Sequence, residues 1–155
     1  RANLPEEGGD TGAPRLSWGD ARIGNMMFVD FEVAAVLDWE MASVAPPEVD
    51  LGWMVYLHRF FQDITTDLGA DGMAEFMRPV DVVSTYEAAS GRRVGDLRWH
   101  IAYAAMRHGV IMRRVTERGV LFGEAERPAD ADDMIIHRAT LSGMLDGTYW
   151  QTLAL

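Results

Sequence analysis

Two apolar runs, Met26–Val29 and Val33–Leu37, are separated only by Asp30-Phe31-Glu32. So short a connection joins strands as an antiparallel hairpin, because a parallel pair needs a crossover of about a dozen residues. Asn25 directly precedes the first run and Asp38 directly follows the second. Neighbouring strands lie about 5 Å apart, so an amide and a carboxylate at their open end converge. A second carboxylate, Asp20, follows Gly19 after another short apolar run, Leu16–Trp18, and stands five residues before Asn25.

The rest of the chain reads as helix. After a loop from Asp38 to Pro47, Val49, Trp53, Tyr56, Leu57 and Phe60 form a helical stripe over Glu48–Asp63. Pro79 opens a helix that Gly91 stops after Ser90. Asp96 caps a long helix through Glu117, with Leu97, Ile101, Ala104, Ala105, Val110 and Met112 on its inner face. A last helix is expected over Asp130–Asp146, ended by Gly147. The fold class is α+β and mainly helical. Residues 1–14, polar and rich in Gly, Pro and acid, read as a linker ahead of a body at 15–155.

Composition excludes several functions. With 48% hydrophobic residues and five Trp, the 155-residue chain can build a core. No apolar run approaches the roughly 18 residues of a membrane span. The absence of Cys removes disulfides, thiolate nucleophiles and Cys-ligated zinc, and with no secretory leader visible it fits a cytoplasmic protein. A formal charge of -10 opposes nucleic-acid binding. All 14 basic side chains are Arg and none is Lys, usage that suits a GC-rich bacterial genome.

Hard oxygen ligands at strand ends suit Mg²⁺, which keeps waters and adds one or two carboxylates and substrate phosphates. Phosphoryl transfer to a hydroxyl also needs a carboxylate that orients the attacking group. The protein-kinase template sets that Asp five residues before a metal-binding Asn, with a second metal-binding Asp after a hairpin. Asp20, Asn25 and Asp38 have this spacing. Either Asp alone would read as a turn or cap residue; the combination points to a kinase-type site.

The run from Leu16 to Met54 resembles the core of the aminoglycoside phosphotransferase and choline kinase group, in particular the bacterial phosphotransferase enzyme subgroup. The motifs are Trp18-Gly19-Asp20, Asn25, Leu37-Asp38-Trp39-Glu40 and Pro47-Glu48-Val49-Asp50-Leu51. The resemblance is sharp over about residues 15–55 and implies a protein-kinase-like C-terminal lobe whose hairpin carries the catalytic loops. It implies Asp20 as catalytic base, Asn25 and Asp38 as Mg²⁺ ligands, and ATP as phosphoryl donor. Glu40 would support the metal or touch substrate, and Asp50 would tie the catalytic loop together by hydrogen bonds. Trp18 replaces the family's His, exchanging an imidazole's donor and acceptor for one indole N–H.

Other features carry two readings each. His58 and Arg59, one helix beyond the site, meet substrate or a phosphate, or form a solvated helix face. His100, His108 and His137 lack metalloprotease spacing and read as packed or surface residues. The stripe of Trp53, Tyr56, Phe60 and Phe61 reads as core more readily than as ligand platform. Asp130, Asp132 and Asp133 read as a first helical turn or as acids for a cationic acceptor.

A kinase of this kind takes a lysine on the α/β-phosphates from its N-terminal lobe. This chain has no lysine, so the expected unit is a C-terminal lobe that needs an N-terminal lobe of the same protein and is inactive alone. Its expected partners are that lobe and a small-molecule hydroxyl acceptor, with neither nucleic acid nor membrane. An apolar face where the lobes meet would also permit a homodimer. The alternatives are a non-catalytic, pseudokinase-like binding module and, less suited for want of further His or Asp ligands, a two-metal hydrolase.

Overall fold

A computed structural model describes residues 15–153; the linker read over residues 1–14 lies outside them. The predicted hairpin consists of β2 (Met26–Val29) and β3 (Glu32–Val36), antiparallel, with Met26 opposite Val36 and Val29 opposite Glu32. A bulge between Met27 and Phe28 offsets the register. The turn is one residue tighter than the sequence suggests. Asp30 and Phe31 alone form it, with φ of 50° and 66°, the double left-handed arrangement that matches strand twist in two-residue hairpins.

The loop from Asp38 to Pro47 holds a strand that pattern reading misses. β4 (Ser43–Ala45) pairs antiparallel with β1 (Arg15–Ser17), Leu16 opposite Val44. Three residues are too few to show alternation, and the partner lies across the whole hairpin, so the pairing leaves no local trace. The two small sheets thus hold both ends of the segment 15–45 together.

Helices form the body: α1 (Glu48–Asp67), α2 (Pro79–Ser90), α3 (Arg98–Leu121), α4 (Arg138–Asp146) and α5 (Thr148–Thr152). α1 begins as read from the sequence, with Glu48 and Asp50 in its positive first turn. It extends beyond Asp63 by one turn. Trp53, Val55, Tyr56, Leu57 and Phe60 on α1 bury against Leu97, Ile101, Ala104 and Ala105 at the start of α3. Gly52 makes this approach close, since a Cβ there would sit 2.7 Å from the His100 carbonyl carbon.

The inner face of α3 differs from expectation in its second half. Val110 is exposed and Met112 half-buried, while His100 and His108 lie in the core. The helix starts at Arg98 with Leu97, not Asp96, at its N-cap; Asp96, one residue further out, accepts the Arg98 N–H at 2.9 Å.

The single helix expected over Asp130–Asp146 is two pieces. A 3₁₀ turn spans Ala131–Met134, and α4 starts at Arg138. Asp130 accepts the Asp132 N–H at 3.0 Å, and Arg138 draws Asp130, Asp132 and Asp133 to 2.6, 3.7 and 2.9 Å. Three carboxylates gathered round one guanidinium fold back on it rather than continue as a helix. α4 ends, as expected, at Gly147 with φ 91°.

Candidate active site

The segment Trp18–Asn25 crosses from β1 to β2 and is shaped by its neighbours. Gly19 has φ +89°, and a Cβ on it would lie 2.2 Å from the Met41 carbonyl oxygen, so only glycine fits there. Asp50, in the first turn of α1, holds this segment from below. Its Oδ1 accepts Ser17 Oγ–H at 2.9 Å and Gly19 N–H at 2.8 Å, and its Oδ2 accepts Trp18 N–H at 2.7 Å. From above, the buried Trp18 donates its indole N–H to the carbonyls of Leu37 at 2.8 Å and Asp38 at 3.1 Å. The indole ties the loop before the hairpin to the loop after it. Arg107 of α3 adds a bond from its guanidinium to the Gly19 carbonyl at 2.7 Å.

Asp20 is set deep in this frame, its side chain 14% exposed. Oδ1 accepts the Trp53 indole N–H at 2.8 Å. Oδ2 accepts Asn25 Nδ2–H at 2.7 Å and Arg22 Nε–H at 3.0 Å. Burial alone would raise its pKa; the bonds from Arg22, Trp53 and Asn25, with the charge of Arg22, outweigh burial and hold it below the usual carboxylate value. The carboxylate is therefore ionised and oriented.

Asn25 and Asp38 flank the two strands at the hairpin's open end. Leu37 N–H donates to the Asn25 carbonyl at 2.8 Å, continuing the strand register by one step. The Asn25 NH₂ also reaches the Asp20 carbonyl at 3.1 Å; with that group committed to Asp20, Oδ1 is the atom a cation would take. Asp38 is exposed and has φ 59°, a left-handed conformation Asp tolerates better than most residues. No group of three or more His, Asp or Glu side chains is gathered for an ion among the described residues. One amide and one carboxylate are too few for a closed protein cage, but they match a Mg²⁺ that completes its shell with water and phosphate oxygens.

The other predicted residues stand further out. Glu40 is exposed beyond Trp39, whose indole N–H bonds the Val36 carbonyl at 2.9 Å. His58 Nε2 lies 3.3 Å from the Met73 carbonyl and lines a cavity of about 360 Å³ that Arg22, Ile23 and Gly24 also border. Arg59 turns away, pairing with Asp63 at 2.7 Å and approaching the Thr152 carbonyl at 3.5 Å. Its neighbour His58 thus shares a cavity with the segment Arg22–Gly24 and Arg59 does not.

Three residues that hold the site were not assigned to it from the sequence. Arg22 has a local signal, its position two residues after Asp20. Trp53 is legible only as part of an aromatic stripe, yet it is buried and supplies a hydrogen bond to Asp20. Arg107 lies 88 residues from Gly19 and packs 4.3 Å over the Trp53 ring, with no signature in the sequence.

Below Trp53 is a buried imidazole pair. The rings of His108 and His137 stack at 4.6 Å and 11°. Tyr56 Oη lies 2.9 Å from His108 Nδ1, and His137 Nε2–H donates to the Ala105 carbonyl at 3.0 Å. Burial first, then the neighbouring His137, lower the His108 pKa to about 4, against a small opposing pull from Asp20. Burial likewise lowers His137, opposed by its bond to Ala105. Both are neutral at pH 7. They are buried residues of the core.

No helix among the described residues is long and apolar enough to cross a membrane. The chain superposes on the crystal structure of a candidate aminoglycoside phosphotransferase from Ralstonia eutropha JMP134 with a TM-score of 0.61 and 24% sequence identity. The match takes in 98% of this chain and 46% of that one, so the chain spans about half the length of its structural neighbour. It establishes the kinase-like α+β fold. The model of the phosphotransferase enzyme family matches residues 1–90, more than half of the chain and the whole of the Asp20–Asn25–Asp38 frame. The chain belongs to the phosphotransferase enzyme family.

Proposed function

We propose that this chain is the catalytic lobe of a kinase that moves the γ-phosphoryl group of ATP to a hydroxyl of a small molecule. The observation that carries the proposal is the Asp20 carboxylate, ionised and held by three donors, one of them the amide of Asn25.

In this reading Asp20 accepts a hydrogen bond from the acceptor hydroxyl and takes its proton as the new O–P bond forms and the β–γ P–O bond of ATP breaks. Trp53 and Asn25 keep the carboxylate pointed, and Arg22 lowers its basicity, so it orients the hydroxyl more than it deprotonates it early. Asn25 Oδ1 and Asp38 would hold Mg²⁺, which when bound neutralises charge on the phosphates. Glu40, exposed next to this pair, would order its waters or meet substrate. Trp18 and Asp50 position the two loops and take no part in proton transfer.

The lysine that anchors the α/β-phosphates in kinases has no counterpart here, since the sequence contains none. We therefore assign that contact to a second lobe, and expect this chain by itself to transfer little or no phosphate. The test is ADP release and ³¹P NMR on the longer protein with Mg-ATP and a panel of alcohols. Asp20→Ala should lower turnover by about 10²- to 10⁴-fold while leaving the circular dichroism spectrum unchanged. A fully active Asp20→Ala protein would remove the assigned role. Full activity from the present chain alone would remove the two-lobe account.

A further inference from the structure

The catalytic loop has a second side, and its chemistry is unlike the first. Ile23 borders two adjoining cavities, of about 360 and 710 Å³, which also share Met54, Phe76 and Met77. Cavities elsewhere, at Trp99–Leu145 and between α2 and the start of α3, include no residue of the catalytic loop.

The shared wall is built rather than incidental. The connection from α1 to α2 folds back on α1. Met73 N–H bonds Gln62 Oε1 at 2.5 Å, and the His58 ring meets Phe76 edge-on at 5.6 Å. Met77 is held at φ +56°, a costly conformation for a residue that is neither Gly, Asn nor Asp.

The charged groups in both cavities are already paired, and the hydroxyls of Thr85 and Tyr86 in the larger one are uncharged. Arg22 pairs with Asp20 at 3.0 Å. The carboxylates of Glu75 and Asp81 are both paired with Arg78, at 3.0 and 2.7 Å. No unpaired carboxylate in these linings waits for an ammonium group, and what faces the space is mainly hydrocarbon and thioether, surfaces that adapt to apolar ligands.

We infer that these cavities take the phosphoryl acceptor, and that it is an uncharged, mainly hydrocarbon alcohol rather than a polycation. The alkyl part lies along Met54, Phe76 and Met77, and the hydroxyl end reaches past Ile23 toward Asp20. This inference rests on the phosphotransferase reading for the word acceptor; the ligand class itself does not.

Methionine methyl NMR tests it without catalysis. The chain is labelled with ¹³C-methyl methionine and titrated with 1,2-octanediol and, separately, kanamycin. The diol should shift the Met54, Met73 and Met77 methyls saturably, and kanamycin should leave them in place. Met54→Glu, or Met73→Glu if the first variant misfolds, should weaken diol binding by about tenfold or more, because a carboxylate then enters an apolar site. Kanamycin shifting these methyls at lower concentration than the diol would overturn the inference. So would diol shifts that fail to saturate or that centre on Met106 and Met144. Diol binding without transfer to any alcohol would leave the ligand class standing and remove the kinase reading. Transfer to an aminoglycoside without diol binding would do the reverse.

Discussion

Acid should unfold this protein earlier than its carboxylates require, because of His108. An unfolded histidine titrates near 6.5, whereas burial holds folded His108 neutral down to about 4. As pH falls through 6.5 the unfolded chain gains a proton that the folded chain refuses, so stability present above 6.5 drains away until about 4. Each pH unit inside that window removes about 1.4 kcal/mol, which gives roughly 3 kcal/mol over the full span. At pH 5.5 the loss relative to pH 7.5 is about 1.4 kcal/mol from His108 alone, and His137, lowered in the same direction, adds to it. Aspartates with lowered pKa, such as Asp20, act in a lower window, below the ordinary value of 3.8. Urea unfolding at pH 7.5, 6.5 and 5.5 reads the effect. His108→Asn, which keeps an acceptor near Tyr56 Oη but cannot take a proton, should start less stable at pH 7.5 and lose about 1.4 kcal/mol less than the parent by pH 5.5. Equal losses in parent and variant would mean that His108 is protonated or hydrated in the folded state, and the reasoning would fail.

Two further predictions concern the frame around Asp20. Trp53→Phe keeps the ring and deletes the indole N–H that reaches Asp20 at 2.8 Å. A bond to a charged acceptor contributes about 1.5–3 kcal/mol, so the Asp20 carboxyl should titrate measurably higher by ¹³C NMR, and an unchanged titration would deny the contact. Asp50→Asn replaces one of two accepting oxygens with a donor that faces the Trp18 N–H. About 2–3 kcal/mol should be lost, seen as a fall of roughly 4–12 °C in Tm for a domain this size; a shift under 2 °C would show that Asp50 is dispensable to the loop.

What could be read directly was local or periodic. The hairpin follows from two apolar runs with a short gap, and its open end carries Asn25 and Asp38 wherever the rest of the chain goes. α1 and α2 announce themselves through Pro47-Glu48, Pro79 and Gly91. The Asp20–Asn25 spacing points to phosphotransferase chemistry before any coordinate is known, and the Asp38-Trp39-Glu40 run does so through its resemblance to the family's motif.

Tertiary structure decided everything that crosses long separations. β4 exists only because β1 lies beside it. The 130–146 segment breaks because Arg138 gathers three aspartates, a competition that helical periodicity does not register. Trp53 and Arg107 belong to the site because α1 and α3 pack at Gly52, and their partners stand 33 and 88 residues away. The hairpin's open end was settled by chain connectivity alone. The orientation and charge of Asp20 depend on two local donors, Arg22 and Asn25, and on the Trp53 indole that α1 brings, and that last bond and the burial it works against are properties of the packed molecule.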